Sequence, residues 1–251
     1  MTAQRLLGYV RCACDTYGMI QEGDRIAVGV SGGKDSLALL YALSRMRDFY
    51  PRRYEVCGIT VSLGLPGFDP APVRGFCEGL GVEYRVLETN IGRLVFEERA
   101  EKNPCSLCAR LRRGALNRAA LAMGCNKTAL GHNRDDIIQT LFMALFYEGR
   151  IYAFPPVTRL DRTGLTALRP LILAPERDVA SFAKRQGLPV IESPCPAAGK
   201  TAREGMRRFI RDQRRVYSGF EAKVFGAIRR SNIEGWGRQI IKEPPGNKPG
   251  G

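Results

Sequence analysis

The stretch "VGVSGGKDSL", residues 28–37, closes the apolar run Arg25–Val30 and opens a helical pattern. It sets two adjacent glycines, a lysine and an aspartate between two serines, where a strand turns into a helix. Gly32 and Gly33 let backbone N–H groups approach an anion closely, because no Cβ stands in the way. Ser31 and Ser36 add hydroxyl donors, the helix starting near Asp35 offers its positive end, and Lys34 brings a mobile charge. Ser31, Gly32, Gly33, Lys34, Asp35 and Ser36 are therefore the candidate phosphate- and nucleotide-binding residues. The loop is not a Walker A sequence: three residues rather than four separate Gly29 from Gly33, and Asp35 rather than Ser or Thr follows the lysine.

Outward from this loop the chain alternates. The patterns read as strand Arg25–Val30, helix Asp35–Met46, strand Tyr54–Ser62, helix Pro72–Leu80 and strand Glu83–Glu88. After a break around Lys102–Pro104 come helix Leu107–Met123, strand Lys127–Gly131 and helix Arg134–Tyr147. Tyr152–Thr166, with Pro155, Pro156 and Gly164, reads as a loop. Leu168–Leu171, helix Glu176–Gln186, Pro189–Ile191, another loop and basic helices to about Arg230 follow. Such alternation predicts an α/β fold, a doubly wound parallel sheet with a basic helical C-terminal extension. Ligands of such sheets bind beyond the carboxyl ends of the strands, where the opening loop lies. The expected organisation is a helical lead-in (1–20), a nucleotide-binding domain (21–200) and basic helices with a disordered tail "KEPPGNKPGG" (201–251).

A chain of 251 residues is long enough to bury roughly 70–75% of its unfolded surface. No run is long and apolar enough to span a bilayer, and Arg5, Arg11 and Asp15 interrupt the first twenty residues, so a cytoplasmic protein without a membrane partner is expected. Eight cysteines, sparse and irregularly spaced, read as thiols or metal ligands rather than a disulfide framework. The formal net charge is +14, and from Thr201 onward twelve Lys and Arg face five Asp and Glu. That field suits a polyanion, with a solvated helical face as the plain alternative.

The second constellation is "PCSLCARLRRG", residues 104–114, with Cys105 and Cys108 in CxxC spacing at the head of a helix. The helix end and Arg110, Arg112 and Arg113 are expected to lower the thiol pKa there. Cys195, in the loop "SPCPAAG", can supply a third ligand. Three thiolates suit an iron–sulfur cubane with one open iron, whereas structural zinc wants four ligands and would recruit the single His132; both remain open. Asp135 and Asp136 in "GHNRDD" start a helix on the loop's side of the sheet and suit helix capping, magnesium binding or proton handling. Arg112 and Arg113 suit phosphate or RNA, or solvent. Arg207, Arg208 and Arg211 belong to the basic extension. His132 reads as structural, and Cys57, Cys77 and Cys125 as small buried hydrophobes. Cys12 and Cys14 read as a surface thiol pair, a candidate sulfur relay.

"SGGKDS" behind an apolar strand resembles the pyrophosphatase loop of the ATP pyrophosphatases, the adenine nucleotide alpha hydrolase-like (HUP, PP-loop) fold. The order "QEGDR", "SGGKDS", "PCSLCARLRRG", "GHNRDD", "PP", "RPL", "PC" resembles the tRNA 2-thiocytidine synthetases from about Tyr17 to Ile210. The resemblance implies a cytoplasmic tRNA sulfurtransferase using ATP, Mg2+ and a [4Fe-4S] cluster held by Cys105, Cys108 and Cys195. It implies Lys34, Arg112, Asp135 and Asp136 as catalytic residues, and Arg113, Arg207, Arg208 and Arg211 on tRNA. Partners on this reading are tRNA, a cysteine desulfurase or other sulfur donor, and a second copy in a homodimer. The sequence departs from the family in carrying Ala198 where many relatives have a cysteine, and in Cys12 and Cys14. A thiouridine synthetase, a lysidine synthetase-like amine transfer, and a cluster- or zinc-bearing RNA-binding or redox-sensing protein without turnover are the alternatives.

Overall fold

The computed structural model describes residues 1–99, 104–191, 194–197 and 202–237. Six strands form one sheet in the order β3-β2-β1-β4-β6-β5. They are β1 (Asp24–Gly29), β2 (Tyr54–Val61), β3 (Glu83–Leu87), β4 (Lys127–Ala129), β5 (Val157–Arg159) and β6 (Thr166–Leu168). All neighbours pair in parallel except β5 with β6. The chain leaves β1 toward β2 and β3 on one side and returns to β4 on the other. The carboxyl ends of β1 and β4 thus flank the point where strand order reverses, which is where open α/β sheets take ligands.

The helices are α1 (Ala3–Thr16), α2 (Lys34–Met46), α3 (Ala71–Gly79), the short α4 (Ile91–Arg93) with a π-helical turn Leu94–Glu98, α5 (Pro104–Ala122), α6 (Arg134–Glu148), α7 (Glu176–Arg185), α8 (Ala202–Val216) and α9 (Phe220–Arg230). Successive strand side chains point to opposite faces. Ile26 and Val28 accordingly join α2 (Leu37, Leu39, Leu40, Leu43), α1 (Leu6, Val10) and α7 (Val179, Phe182) in one core. Ala27, Cys57 and Ile59 meet Leu116, Ala119 and Ala120 of α5 on the other face. Leu40 is fully buried, and truncating such a leucine to alanine costs about 2–5 kcal/mol. The parallel start of β1 and β4 is tied by a buried ion pair, Lys127 Nζ to Asp24 Oδ2 at 2.6 Å, and Lys127 also donates to Met19 O at 2.9 Å.

Several expectations need correction. Tyr152–Thr166 is not all loop: Val157–Arg159 runs antiparallel to Thr166–Leu168, turning at Gly164, whose φ is +70°. Three-residue strands are too short to show a period of two, and the preceding prolines disguised the edge strand. Leu168 ends β6, and Pro189–Ile191 forms no strand. Cys14 is fully buried in the α1 core, where burial raises its thiol pKa, so Cys12 and Cys14 are not a surface pair; Cys12 alone is exposed. Cys57, Cys77 and Cys125 are buried as expected. The tail 242–251 and part of the break before Pro104 lie outside the described residues. Among the described residues no helix is long and apolar enough to cross a membrane.

Candidate active site

The loop after β1 is set by its own serines. Ser36 Oγ accepts from Ser31 N at 3.1 Å, lies 3.1 Å from Ser31 Oγ, and donates to Gly33 O at 2.9 Å. Gly32 sits at φ +80°, and a Cβ there would come within 3.2 Å of Ile191 Cβ, whose N–H donates to Gly32 O at 2.9 Å. Gly131, two residues beyond β4, runs so close that a Cβ would stand 2.9 Å from Ser36 N. Gly33 occupies the N-cap of α2 and supplies no side-chain cap, leaving first-turn N–H groups aimed at whatever anion the loop receives.

A cavity of about 340 Å³ opens over this loop, lined by Ser31, Gly33, Asp35, Ser36, Arg112, Arg113 and His132 among others. The two arginines come from α5, one to two turns beyond the CxxC, so the helix that starts at the cysteines delivers its cations to the phosphate loop. His132 packs at a tilt of 47° against Phe154, with ring centroids 4.8 Å apart. Burial, followed by the Arg169, Arg203 and Arg113 charges, pushes its pKa down to about 3, and its buried Nδ1 has no hydrogen-bond partner among the described residues. A neutral imidazole walled by arginines suits a ligand-facing or structural role.

Lys34 Nζ donates to Asp35 Oδ2 at 2.8 Å and to Glu176 Oε1 at 2.9 Å. Burial alone would lower its pKa, but the two carboxylates outweigh it and the pKa is raised. The same lysine holds Glu176 below the usual carboxylate range, against the upward pull of burial. Asp136 closes a capping box: its Oδ2 accepts from Asn133 N at 3.0 Å, while the Asn133 side chain accepts from the Asp135 and Asp136 amides and donates to Asp35 Oδ1 at 3.1 Å. Asp135 Oδ2 accepts from Glu176 N at 2.8 Å, fixing the start of α7. Burial raises the pKa of both aspartates. Arg203 lies 3.3 Å from Asp136 Oδ1, and Arg214 3.7 Å from Asp135 Oδ1. Each carboxylate is engaged by a backbone N–H and by an arginine, which fits capping.

The cysteines are divided. Cys105 is exposed, Cys108 buried and Cys195 half-buried. The expected lowering of the CxxC thiols is not met at Cys108, whose pKa is raised by burial first, with Arg112 pulling it down and Cys195 and Cys105 pushing it up. Cys108 thus lies within electrostatic reach of Cys105 and Cys195, although among the described residues no three His, Cys, Asp or Glu form a group gathered around one point. Of the basic set, Arg113, Arg207, Arg208 and Arg211 are exposed; Arg113 lines the phosphate-loop cavity, while Arg207 and Arg211 line a smaller one with Asp135 and Glu176.

Asn133, Glu176 and Arg203 escaped the sequence reading. Asn133 stands three residues before Asp136 in capping-box spacing, a local signal. Glu176 follows Pro175 at a helix start, but nothing local pairs it with Lys34, 142 residues away.

The PP-loop domain family matches residues 10–214. The chain is 40% identical over 217 residues to the tRNA-cytidine(32) 2-sulfurtransferase of Alkalilimnicola ehrlichii, covering 85% of this chain and 68% of that one. It is 38% identical over 230 residues to the protein of the same name from Cronobacter sakazakii, covering 90% and 74%. Among solved structures it superposes on the U34-tRNA thiolase NcsA of Methanococcus maripaludis with its [4Fe-4S] cluster, at a TM-score of 0.71 and 25% identity, over 88% of this chain and 76% of that one. With the phosphate loop at the switch point of the sheet, the chain belongs to the PP-loop family and, within it, to the tRNA 2-thiocytidine synthetases.

Proposed function

We propose that this chain is a cytoplasmic, ATP-dependent tRNA sulfurtransferase that activates the 2-oxo group of a tRNA cytidine as an adenylate and replaces it with sulfur. The observation that carries the reading is the convergence of the serine-ordered loop, the uncapped start of α2 and Arg112 and Arg113 on one cavity. A pyrimidine carbonyl oxygen is a poor leaving group, so it attacks the α-phosphate of ATP and pyrophosphate departs. Lys34 and the loop amides stabilise the charge that develops on that pyrophosphate, and Arg112 neutralises charge at the cavity wall. Magnesium enters with ATP as part of the substrate. Asp135 and Asp136 hold the loop and the start of α7 in register and stand as the carboxylates for magnesium or for a proton beside the α-phosphate.

Cys105, Cys108 and Cys195 are the residues that would hold a [4Fe-4S] cluster. Three thiols, with Cys108 within electrostatic reach of Cys105, Cys195 and Arg112, fit that group by donor chemistry. Such a cluster supplies an open iron able to carry sulfide. Arg113, Arg207, Arg208 and Arg211 offer cations to tRNA phosphates, and a cysteine desulfurase or other donor provides the sulfur. The division into a lead-in (1–20), a PP-loop domain (21–200) and a basic extension (201–251), and a homodimer, complete the proposal. Anaerobic incubation of the iron-loaded protein with ATP, a sulfide source and unmodified tRNA, followed by nucleoside mass spectrometry, tests it. 2-Thiocytidine is expected; tRNA without any thiolated nucleoside would refute it, and 2-thiouridine would reassign the base.

A further inference from the structure

The wall of the phosphate-loop cavity runs through Gly33 and Asp35; Lys34 Nζ is shared between Asp35 at 2.8 Å and Glu176 at 2.9 Å, and Glu176 lines the smaller cavity with Asp135, Arg207 and Arg214. Glu176 is the first residue of α7, and its main chain is pinned by Asp135 Oδ2 at 2.8 Å. The start of α7 thus places the Glu176 carboxylate beside Lys34, a long side chain able to reach either the loop or Glu176. Arg207 of α8 lies 4.0 Å from the same oxygen of Glu176. One carboxylate thus serves two cations that the proposed reaction assigns to two different phosphates.

We propose that Glu176 is a positioning residue that holds Lys34 off the cavity until a polyphosphate displaces it, and that it shares this role between Lys34 and Arg207 of α8. The inference rests on the reading above, in which Lys34 meets pyrophosphate and α8 meets RNA. The sign follows from charge conservation around Glu176. When nucleotide takes Lys34, Arg207 is left to balance the carboxylate. When an RNA phosphate takes Arg207, Glu176 keeps Lys34 more firmly and the β and γ phosphates bind more weakly. By linkage, ATP weakens RNA binding at Arg207 by the same factor. Lys34 and Glu176 are each 29% exposed, so the effect is that of a partly screened ion pair, up to about fivefold in a dissociation constant.

The test is equilibrium titration of the full chain, in its iron-loaded form, with ATP, inorganic pyrophosphate and AMP, with and without tRNA. Glu176→Gln keeps the shape and the backbone N–H that Asp135 holds. It should bind ATP and pyrophosphate up to about fivefold more tightly and AMP as wild type does, since AMP lacks the phosphates Lys34 would meet. Arg207→Gln should weaken ATP binding without RNA present, imitating the RNA-bound state. Unchanged or weaker ATP binding in Glu176→Gln, or an equal shift for AMP, would overturn the gating role. Unchanged ATP binding in Arg207→Gln would overturn the shared counter-ion. If wild type bound no tRNA, the functional reading would fail, while the ATP and AMP comparison would still decide the role of Glu176.

Discussion

Replacing Lys34 by alanine separates what the loop lysine does for folding from what it does for chemistry. In the folded chain its ammonium makes two ion pairs, 2.8 Å to Asp35 and 2.9 Å to Glu176, with all three side chains between 25% and 29% exposed. Pairs this wet are worth about 0.2–1 kcal/mol each. Asp35 keeps the Asn133 side chain at 3.1 Å and Glu176 keeps Arg207 at 4.0 Å, so neither carboxylate is stranded. The expected loss is about 1 kcal/mol, a fall in Tm of about 2–4 °C for a chain of this size. Pyrophosphate release should fall far more, by about 10²–10³, as when one preorganised donor to a developing charge is removed. Differential scanning fluorimetry and a coupled pyrophosphate assay with ATP and tRNA read the two quantities on one preparation. Release within tenfold of wild type would refute the loop assignment, and a Tm fall beyond about 10 °C would refute the ion-pair reasoning.

Protein purified without oxygen should be brown with about four irons per chain. Cys105→Ala, Cys108→Ala and Cys195→Ala should each lose that iron and His132→Ala should keep it; colourless, zinc-loaded protein dependent on His132 would replace the cubane by zinc. Reversing Arg207, Arg208 and Arg211 to Glu should weaken tRNA binding and flatten its salt dependence by about 0.7–0.9 in log–log slope for each lost phosphate contact, read by filter binding across a salt series. Gly131→Ala places a methyl 2.9 Å from the Ser36 amide, so it should lower ATP affinity in titration with the circular dichroism spectrum preserved. His132 titrates at about 3 in the fold and at 6.5 ordinarily, so between those values the unfolded chain binds the extra proton and stability falls as pH falls, with a slope of up to about 1.4 kcal/mol per pH unit. His132→Gln should remove that contribution in denaturant melts across this range. The raised pKa values of Asp135 and Asp136 act in the opposite sense, so the difference between variant and wild type, not the raw profile, is the test.

What the linear chain determined by itself is what local chemistry can carry. The strand–loop–helix around "VGVSGGKDSL" follows from an apolar run, two glycines and a helical period, all within one contiguous segment. The same holds for the order of β1 to β4 with α2, α3, α5 and α6, since each element needs only its own periodicity. The phosphate loop was legible because its ligands are neighbours in sequence. Tertiary structure alone decided the rest. The three-residue strand β6 is held by pairing with β4, and β5 by pairing with β6, not by their own pattern. Cys14 is buried because α1 packs against α2 and α7, and its neighbour Cys12 is not, since positions two apart on a helix face different ways. Asp136 became a cap through Asn133, and Lys34 acquired Glu176 from a helix 142 residues downstream. Ion pairs across such distances have no sequence signature, because Coulomb attraction depends on where the fold carries the charges and not on how many residues lie between them.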